Sequence, residues 1–220
     1  MSILAILETI FLHIERYNIL NIKFLFDLDG CVTKCETLPL IANHFGLEKE
    51  LEILTEKTTS GNIPFIESFI KRVFMLKDIN VKEIAQLLET VELFPIVSNF
   101  IYENKDNCAI VSGNLDCYIN KLIANRLWNV DVFCSHAVLR DDKVEKINDI
   151  IKKDVIVNYF KEKKYKTIFV GDGNNDAAAM RLADVKIACG LVHQPANSVL
   201  EVCDYVVYDE ETLCNLLRLL

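Results

Sequence analysis

Short, nearly unbroken apolar runs recur along this 220-residue chain, and no other feature constrains its fold as strongly. The runs lie at 23–28, 108–112, 167–171, 185–189 and 204–208. Segments with helical periodicity separate them, at 95–104, 115–127, 149–164, 174–183 and 209–219. Apolar strands that alternate with helices are typical of a parallel sheet covered on both faces, because both faces of each strand are then buried. We therefore predict an α/β fold, a Rossmann-like parallel sheet with helices on both faces.

Residues 34–93 interrupt this alternation. Four helical segments follow one another there without an intervening strand, namely TLPLIANHF, EKELEILTEKTT, PFIESFIKRVFML and VKEIAQLLETV. Gly46 and Gly61 stand where helices commonly end. We predict a small all-helical cap domain at 34–93, inserted after the first strand of a core domain that comprises 21–33 and 94–220.

Residues 135–147 fit neither pattern. Alternating segments flank the pair Asp141-Asp142, which suits a tight turn. We predict a short β-hairpin there.

The first twenty residues are apolar but are interrupted by Glu8, His13, Glu15 and Arg16. They lack the basic region and the small-residue cleavage site of a secretion signal. A membrane-spanning helix needs about 20 mostly uncharged residues, which this segment does not supply. We predict that 1–20 forms an amphipathic helix packed on the body or on a partner, and that the protein is cytoplasmic without membrane association.

Charge and cysteine usage limit the classes of partner. A formal net charge of -8 repels phosphate backbones, so we expect no nucleic-acid partner. A small anionic substrate is compatible with this net charge, because a metal ion or a few cations make the electrostatic potential positive within one pocket. The eight cysteines occur singly, without a CxxC pair, which favours buried free thiols in a reducing compartment over disulfides or zinc ligands.

Acidic and small polar residues stand directly at the ends of three predicted strands. Asp27 and Asp29 end the first, Ser112-Gly113-Asn114 ends the second, and GDGNND at 171–176 ends the third. Ligands of open parallel sheets bind outside the carboxyl ends of the strands, so we expect these groups to converge. Converging carboxylates repel one another unless a cation neutralises them, and hard oxygen ligands suit Mg²⁺. The sequence therefore predicts a Mg²⁺ site at this edge of the sheet.

These three segments and a later lysine resemble the four signature motifs of the haloacid dehalogenase-like hydrolases. They are DLDGCVT at 27–33, IVSGN at 110–114, a later lysine, and GDGNND. Over residues 22–220 the chain is similar to the phosphoserine phosphatase branch of that family, whose small cap the helical insert matches. The resemblance implies a Mg²⁺-dependent phosphomonoester hydrolase that acts through an aspartyl-phosphate intermediate. Its implied substrate is a small phosphorylated metabolite, phosphoserine or a close relative, with a place in serine biosynthesis.

The resemblance assigns roles to the acidic residues. Asp27 would be the nucleophile, and Asp29 would act first as general acid and then as general base. Asp27, Asp172 and the main-chain carbonyl of Asp29 would hold the Mg²⁺ ion, with Asp176 supporting it through its waters.

The same resemblance implies a phosphate-binding set. Ser112 and the Gly113 amide would hold the phosphoryl oxygens, and Asn175 would touch the substrate. Ser112 is also a candidate N-cap of the helix at 115–127, a role compatible with the first.

A lysine that neutralises the phosphate and the nucleophile completes the implied catalytic set. Lys152 and Lys153 are adjacent, and KDVIVNYF at 153–160 resembles the family segment that a lysine leads. We therefore assign this role to Lys153.

Three cap residues resemble substrate contacts of the phosphoserine branch. Glu36 would bind the substrate ammonium, Arg72 the substrate carboxylate, and Phe65 would shield the pocket. Each also has an ordinary structural interpretation, as a first-turn acid, a surface cation and a cap core residue respectively.

Two positions depart from the pattern of that branch. Asn114 stands where a second glycine is usual, and Thr59 stands where a methionine is usual. Both would border the substrate, so another small phosphomonoester, such as a sugar phosphate, stays open as the substrate. The sequence also leaves open a phosphotransferase, a non-catalytic phosphate-binding protein, and the formation of a homodimer.

Overall fold

The computed structural model of the protein describes residues 21–59 and 63–220. The strands are β1 (Ile22–Phe26), β2 (Cys108–Leu115), β3 (Asp131–Arg140), β4 (Lys143–Asp149), β5 (Lys166–Gly171), β6 (Val185–Cys189) and β7 (Tyr205–Val207). The helices of the first half are α1 (Thr37–His44), α2 (Glu48–Thr59), α3 (Phe65–Met75), α4 (Val81–Glu89) and α5 (Pro95–Glu103). Those of the second half are α6 (Asp116–Arg126), α7 (Lys153–Glu162), α8 (Ala177–Leu182), α9 (Asn197–Leu200) and α10 (Glu210–Leu219). The amphipathic helix predicted for 1–20 lies outside the described residues.

All seven strands belong to one sheet with the order β4-β3-β2-β1-β5-β6-β7. Among the strand pairs of the described residues, only β3–β4 is antiparallel. β1 lies in the middle, where Phe24 pairs with Cys108 on one side and with Ile168 on the other. This arrangement confirms the predicted α/β fold with a mostly parallel sheet.

Phe24, Leu25 and Phe26 of β1 are buried on both faces of the sheet, which explains why they are apolar. Phe24 and Phe26 pack into one core with residues of α5, α6 and α10. Leu25 points to the opposite face and packs with residues of α7 and α8. The helices therefore cover the sheet from both sides and hold the end of β1 at its centre.

The β3–β4 region is the main difference from the sequence prediction. The hairpin at Asp141-Asp142 is present, with both residues at positive φ, as tight hairpin turns require. However, β3 begins at Asp131, and its first half pairs parallel with β2, which the sequence analysis did not anticipate. The helix expected at 149–164 starts only at Lys153, because β4 occupies the chain up to Asp149.

The helical insert contains α1 to α4, and its two connections to the sheet run side by side. Thr33 forms an antiparallel bridge with Leu93, and the Lys34 amide donates to the Glu92 carbonyl over 2.8 Å. The four segments expected to be helical between 34 and 93 are helices α1 to α4.

All eight cysteines are free thiols, and the predicted burial holds for five of them, while three are partly buried. Within the part of the chain that the structure describes, no helix combines the length and apolar character needed to cross a membrane.

Candidate active site

The polar residues that end β1, β2 and β5 surround one cleft at the carboxyl edge of the sheet. The cleft has a volume of about 400 Å³. Its lining includes Asp27, Asp29, Glu36, Arg72, Ser112, Gly113, Asn114, Asp172, Asn175 and His193. Parallel strands bring their carboxyl ends to the same edge, which is why segments far apart in sequence meet here.

Asp27 continues β1, since its amide donates to the Val170 carbonyl of β5 over 2.9 Å. The side chain is buried, and its Oδ1 accepts from the Leu28 amide and lies 2.8 Å from the ammonium of Lys153. Burial and the nearby Asp176 carboxylate raise the pKa of Asp27, while Lys153 opposes this rise. The carboxylate is therefore held in one orientation by a cation and a main-chain donor.

Lys153 is the first residue of α7 and is buried, whereas its neighbour Lys152 is exposed. Its ammonium lies 2.6 Å from Asp176 Oδ1 as well as 2.8 Å from Asp27. Burial alone would lower the pKa of Lys153, but the Asp176 and Asp27 carboxylates raise it above its ordinary value. A charged lysine beside Asp27 is what the sequence assignment requires.

Asp176 organises the loop that follows β5. Its Oδ2 accepts from the Asp172 amide at 3.0 Å and the Gly173 amide at 2.9 Å, and its Oδ1 faces Lys153. Asp176 is fully buried. It ties Lys153 to the segment that carries Asp172.

The acidic groups fit a divalent cation. Asp27, Asp172 and Asp176 each place a carboxylate oxygen within 4.8 Å of the others. Burial raises the pKa of Asp172, while a hydrogen bond from His193 lowers it. Clustered carboxylate oxygens are the ligands that Mg²⁺ prefers, and a cation would relieve their mutual repulsion.

Gly30 lets the chain pass close to this cluster. Its φ is +69°, in the left-handed region, and a Cβ at this position would lie 3.0 Å from Asp172 Oδ2. A side chain would therefore both strain the backbone and press on Asp172.

Asp29 lies two residues beyond Asp27 and faces the same cleft. Its Oδ2 accepts a hydrogen bond of 2.8 Å from the Thr37 hydroxyl. Burial and the negative charge of Glu36 raise the pKa of Asp29 to about 8, although the Thr37 hydrogen bond acts to lower it. A carboxyl group with this pKa is suited to give and to take a proton near neutral pH.

Ser112, Gly113 and Asn114 lie in the last part of β2, where its pairing with β3 is irregular. The Asn114 amide donates to Ser112 Oγ over 3.1 Å, and the hydroxyl of Ser135 donates to the Gly113 carbonyl over 2.8 Å. Ser112 is not the N-cap of the following helix, because α6 begins at Asp116 with Leu115 as its N-cap. This end of β2 is thus braced by β3, and Ser112 lines the cleft.

The structure describes the side chains of some, but not all, of the residues predicted to contact the substrate. Glu36 and Arg72 both line the cleft. Burial lowers the pKa of Arg72, whereas the Glu36 carboxylate raises it, so the two charges lie near each other. Asn175 lines the same cleft. Phe65 begins α3, but its side chain, like that of Thr59, lies outside the described part of the structure.

His193 is a site residue that the sequence analysis missed. Its Nε2 lies 3.0 Å from both Glu36 Oε1 and Asp172 Oδ2, and these hydrogen bonds raise the pKa of His193 to about 11. The Ala196 amide holds the same loop by donating to the Asp172 carbonyl over 2.8 Å. The loop follows β6, so the strand-end rule that located the acidic residues would also have located His193.

The chain belongs to the haloacid dehalogenase-like hydrolases, whose family model matches residues 24–184. This match agrees with the fold and with the convergence of the motif residues in one cleft.

Within that family, relatives in sequence and in structure are phosphoserine phosphatases. The enzyme of that name from Methanocaldococcus jannaschii is 28% identical over 176 residues, which cover 74% of this chain and 83% of the relative. The one from Saccharomyces cerevisiae is 28% identical over 75% of this chain and 58% of its own length. A phosphoserine phosphatase solved as a phospho-aspartyl intermediate analogue superposes with a TM-score of 0.75 at 25% identity, covering 90% of this chain and 99% of that one. Together with the site, these similarities support a phosphatase enzyme.

Proposed function

We propose that the protein is a Mg²⁺-dependent phosphomonoester hydrolase that uses Asp27 as its nucleophile. The observation that carries this proposal is the 2.8 Å contact between Asp27 and the buried Lys153, in a cleft that also holds Asp29, Asp172 and Ser112. A carboxylate that a cation holds in place, with further acidic groups nearby, can attack the phosphorus of a phosphoryl group. The four motif segments of this chain and this geometry support the same chemistry.

In the first step, an Asp27 carboxylate oxygen forms a bond to phosphorus as the bond between phosphorus and the leaving oxygen breaks. The electron pair goes to the leaving oxygen, which takes a proton from Asp29. Lys153, Ser112 and the Gly113 amide hold the phosphoryl oxygens, so that the phosphorus lies in line between the two oxygens.

In the second step, a water molecule attacks the aspartyl-phosphate. Asp29 takes the proton of the water as the new bond to phosphorus forms, and the bond from phosphorus to Asp27 breaks. Phosphate leaves and the Asp27 carboxylate is restored. When bound, Mg²⁺ supplies positive charge to the phosphoryl oxygens, and we assign its ligands to Asp27, Asp172 and the main-chain carbonyl of Asp29.

We further propose phosphoserine as the substrate, with residues 34–93 acting as a cap over the core formed by 21–33 and 94–220. Glu36 and Arg72 offer opposite charges to the ammonium and carboxylate of an amino acid, and both line the same cleft as Asp27. The planar guanidinium of arginine suits a carboxylate, which it binds through two parallel hydrogen bonds. The names of the relatives support this choice.

A second candidate is hydrolysis of another small phosphomonoester. Two observations favour it. Asn114 adds a polar side chain beside the phosphate-binding end of β2, and His193 already contacts Glu36 at 3.0 Å. A substrate with hydroxyl groups in place of the ammonium would fit these additional polar groups.

The decisive experiment measures phosphate release from phosphoserine, phosphoethanolamine and a set of sugar phosphates, with and without Mg²⁺. We expect Mg²⁺-dependent release, fastest for phosphoserine, and none from Asp27→Asn. Asp78→Asn serves as the control, since Asp78 is an exposed aspartate. Normal turnover by Asp27→Asn would overturn the proposed chemistry, and a faster sugar phosphate would favour the second candidate.

A further inference from the structure

Asn114, which departs from the family pattern, is held in a defined orientation. It is buried, and its Oδ1 accepts a hydrogen bond of 2.9 Å from the Leu115 amide. A main-chain amide can only donate, so the atom facing it must be the side-chain oxygen. The Nδ2 group, which can only donate, then faces Thr37 Oγ1 at 2.5 Å.

Thr37 connects Asn114 to Asp29, the proposed general acid. It is the first residue of α1, is fully buried, and lies 2.8 Å from Asp29 Oδ2. A hydroxyl group has one proton, and its oxygen already accepts from Asn114. Among the described residues, Asp29 Oδ2 is the acceptor that remains for that proton.

We infer that Asn114 and Thr37 are positioning residues, which hold Asp29 Oδ2 as a hydrogen-bond acceptor and so make Oδ1 the oxygen that exchanges the proton. This inference rests on the proposed function. Asp29 Oδ1 is buried and has no hydrogen-bond partner among the described residues, and Asp29 lines the cleft. A buried polar atom without a partner is costly, and its cost is understandable where a substrate atom completes the contact.

The proton on Asp29 Oδ1 is then transferred to the leaving oxygen. As phosphorus bonds to Asp27 and its bond to the leaving oxygen breaks, the electron pair remains on the leaving oxygen. That oxygen takes the proton from Asp29 Oδ1, and Asp29 becomes a carboxylate that accepts from Thr37 at Oδ2. Without Thr37, the carboxyl group is free to rotate and to present its proton away from the leaving oxygen.

Two substrates whose leaving groups differ in basicity can distinguish positioning of Asp29 by Thr37 from a purely structural role of Thr37. An alkoxide, such as the serine oxygen of phosphoserine, needs a proton to depart, whereas the weakly basic nitrophenolate of p-nitrophenyl phosphate does not. The value of kcat/KM reports the first transfer step for both substrates. The measurement is therefore the ratio of kcat/KM for phosphoserine to that for p-nitrophenyl phosphate.

The central variant is Thr37→Val, which removes the hydroxyl and keeps the shape. General acid catalysis contributes roughly 10²–10⁴-fold, so we expect this variant to lower the ratio by about tenfold or more. Thr37→Ser keeps the hydroxyl and should restore most of the ratio. Asn114→Asp turns the donor into an acceptor, draws the Thr37 proton away from Asp29, and should lower the ratio as Thr37→Val does.

Thr167→Val is the matched control. Thr167 is also a fully buried threonine whose hydroxyl donates to a carboxylate, Asp184, but it lies near the start of β5, at the other end of the strand from Asp172. It should lose stability without a change in the ratio. The inference is overturned if Thr37→Val leaves the ratio unchanged, including the case in which both substrates slow equally.

The proposed function is tested separately by the wild-type protein and Asp27→Asn. If the wild type hydrolyses both substrates and Asp27→Asn neither, the proposed function stands whatever the Thr37 result. If the wild type hydrolyses neither substrate with Mg²⁺ present, the proposed function and this inference both fail.

Discussion

The ammonium of Lys153 lies 2.8 Å from Asp27 and 2.6 Å from Asp176, so one buried cation joins the end of β1 to the loop after β5. The three side chains are almost completely buried. Removing one member of such a group leaves uncompensated charge in a site with little water.

Lys153→Ala should therefore lower both activity and stability. We expect kcat/KM for phosphoserine to fall by about 10²-fold or more, since the phosphoryl charge loses its cation. The free energy of unfolding should fall by about 3–5 kcal/mol, because buried carboxylates lose their partner. Lys152→Ala is the control, as Lys152 is adjacent but exposed. The prediction fails if the two variants have equal kcat/KM, measured by phosphate release alongside denaturant unfolding.

Arg72→Ala tests the substrate assignment. If Arg72 binds the substrate carboxylate, its loss removes a charge-assisted hydrogen bond that contributes about 1.5–3 kcal/mol. The KM for phosphoserine should rise by about 10- to 100-fold, whereas the KM for phosphoethanolamine, which lacks the carboxylate, should change far less. Lys71→Ala controls for the loss of a cation on the same helix, since Lys71 is exposed and pairs with Glu67. An equal rise for both substrates would exclude carboxylate recognition by Arg72.

Gly30→Ala and Gly46→Ala form a matched pair. Both glycines have positive φ, +69° and +73°, but a Cβ at Gly30 would lie 3.0 Å from Asp172 Oδ2, and one at Gly46 meets nothing within 4 Å. Each variant should lose about 1–2 kcal/mol of unfolding free energy from backbone strain. Only Gly30→Ala should also lose activity and Mg²⁺-dependent thermal stabilisation. Loss of Mg²⁺ stabilisation in Gly46→Ala, or its retention in Gly30→Ala, would contradict this explanation.

Asp184 gives a pH-dependent prediction away from the cleft. Partial burial acts to raise its pKa, but hydrogen bonds from Lys161 and Thr167 outweigh burial and lower the pKa below its ordinary value. Because the pKa is lower in the folded state, the Asp184 carboxylate stabilises the fold at pH values above its unfolded pKa of about 3.9. This stabilisation is lost as the pH falls through the folded-state pKa. Asp184→Asn should cost about 1 kcal/mol at neutral pH, a modest value because the ion pair is partly exposed.

Urea unfolding at a series of pH values measures this contribution. The difference between wild type and Asp184→Asn should shrink below about pH 4. Asp78→Asn, which removes one exposed negative charge, controls for net charge. A difference that stays constant down to about pH 3 would show that the Asp184 contribution is not electrostatic.

The sequence was a good guide where the signal is local. The apolar run of β1 predicted a buried strand, because burial on both faces favours apolar residues. The position of Asp27 and Asp29 directly after that run predicted that they would meet the GDGNND segment at the edge of the sheet, and both segments line one cleft. The choice of Lys153 over Lys152 depended on a resemblance, and the structure brings Lys153 to Asp27.

The β3 strand shows where local signals fail. Its residues alternate in burial irregularly, since one half pairs parallel with β2 and the other antiparallel with β4. No single period describes such a strand. His193 was overlooked for a different reason: it lies four residues beyond the end of β6 and outside the recognised motifs, although it contacts Glu36 and Asp172.

The amino-acid sequence by itself determined where most strands and helices lie along the chain, the run of helices between 34 and 93, and the acidic groups at the strand ends, since each is encoded by residues adjacent in the chain. Only the tertiary structure decided the strand order, the contact of His193 with Glu36, and the hydrogen bonds that join Asn114, Thr37 and Asp29. Those contacts depend on the register of the packed elements, and packing brings together residues whose separation along the chain carries no periodic signal.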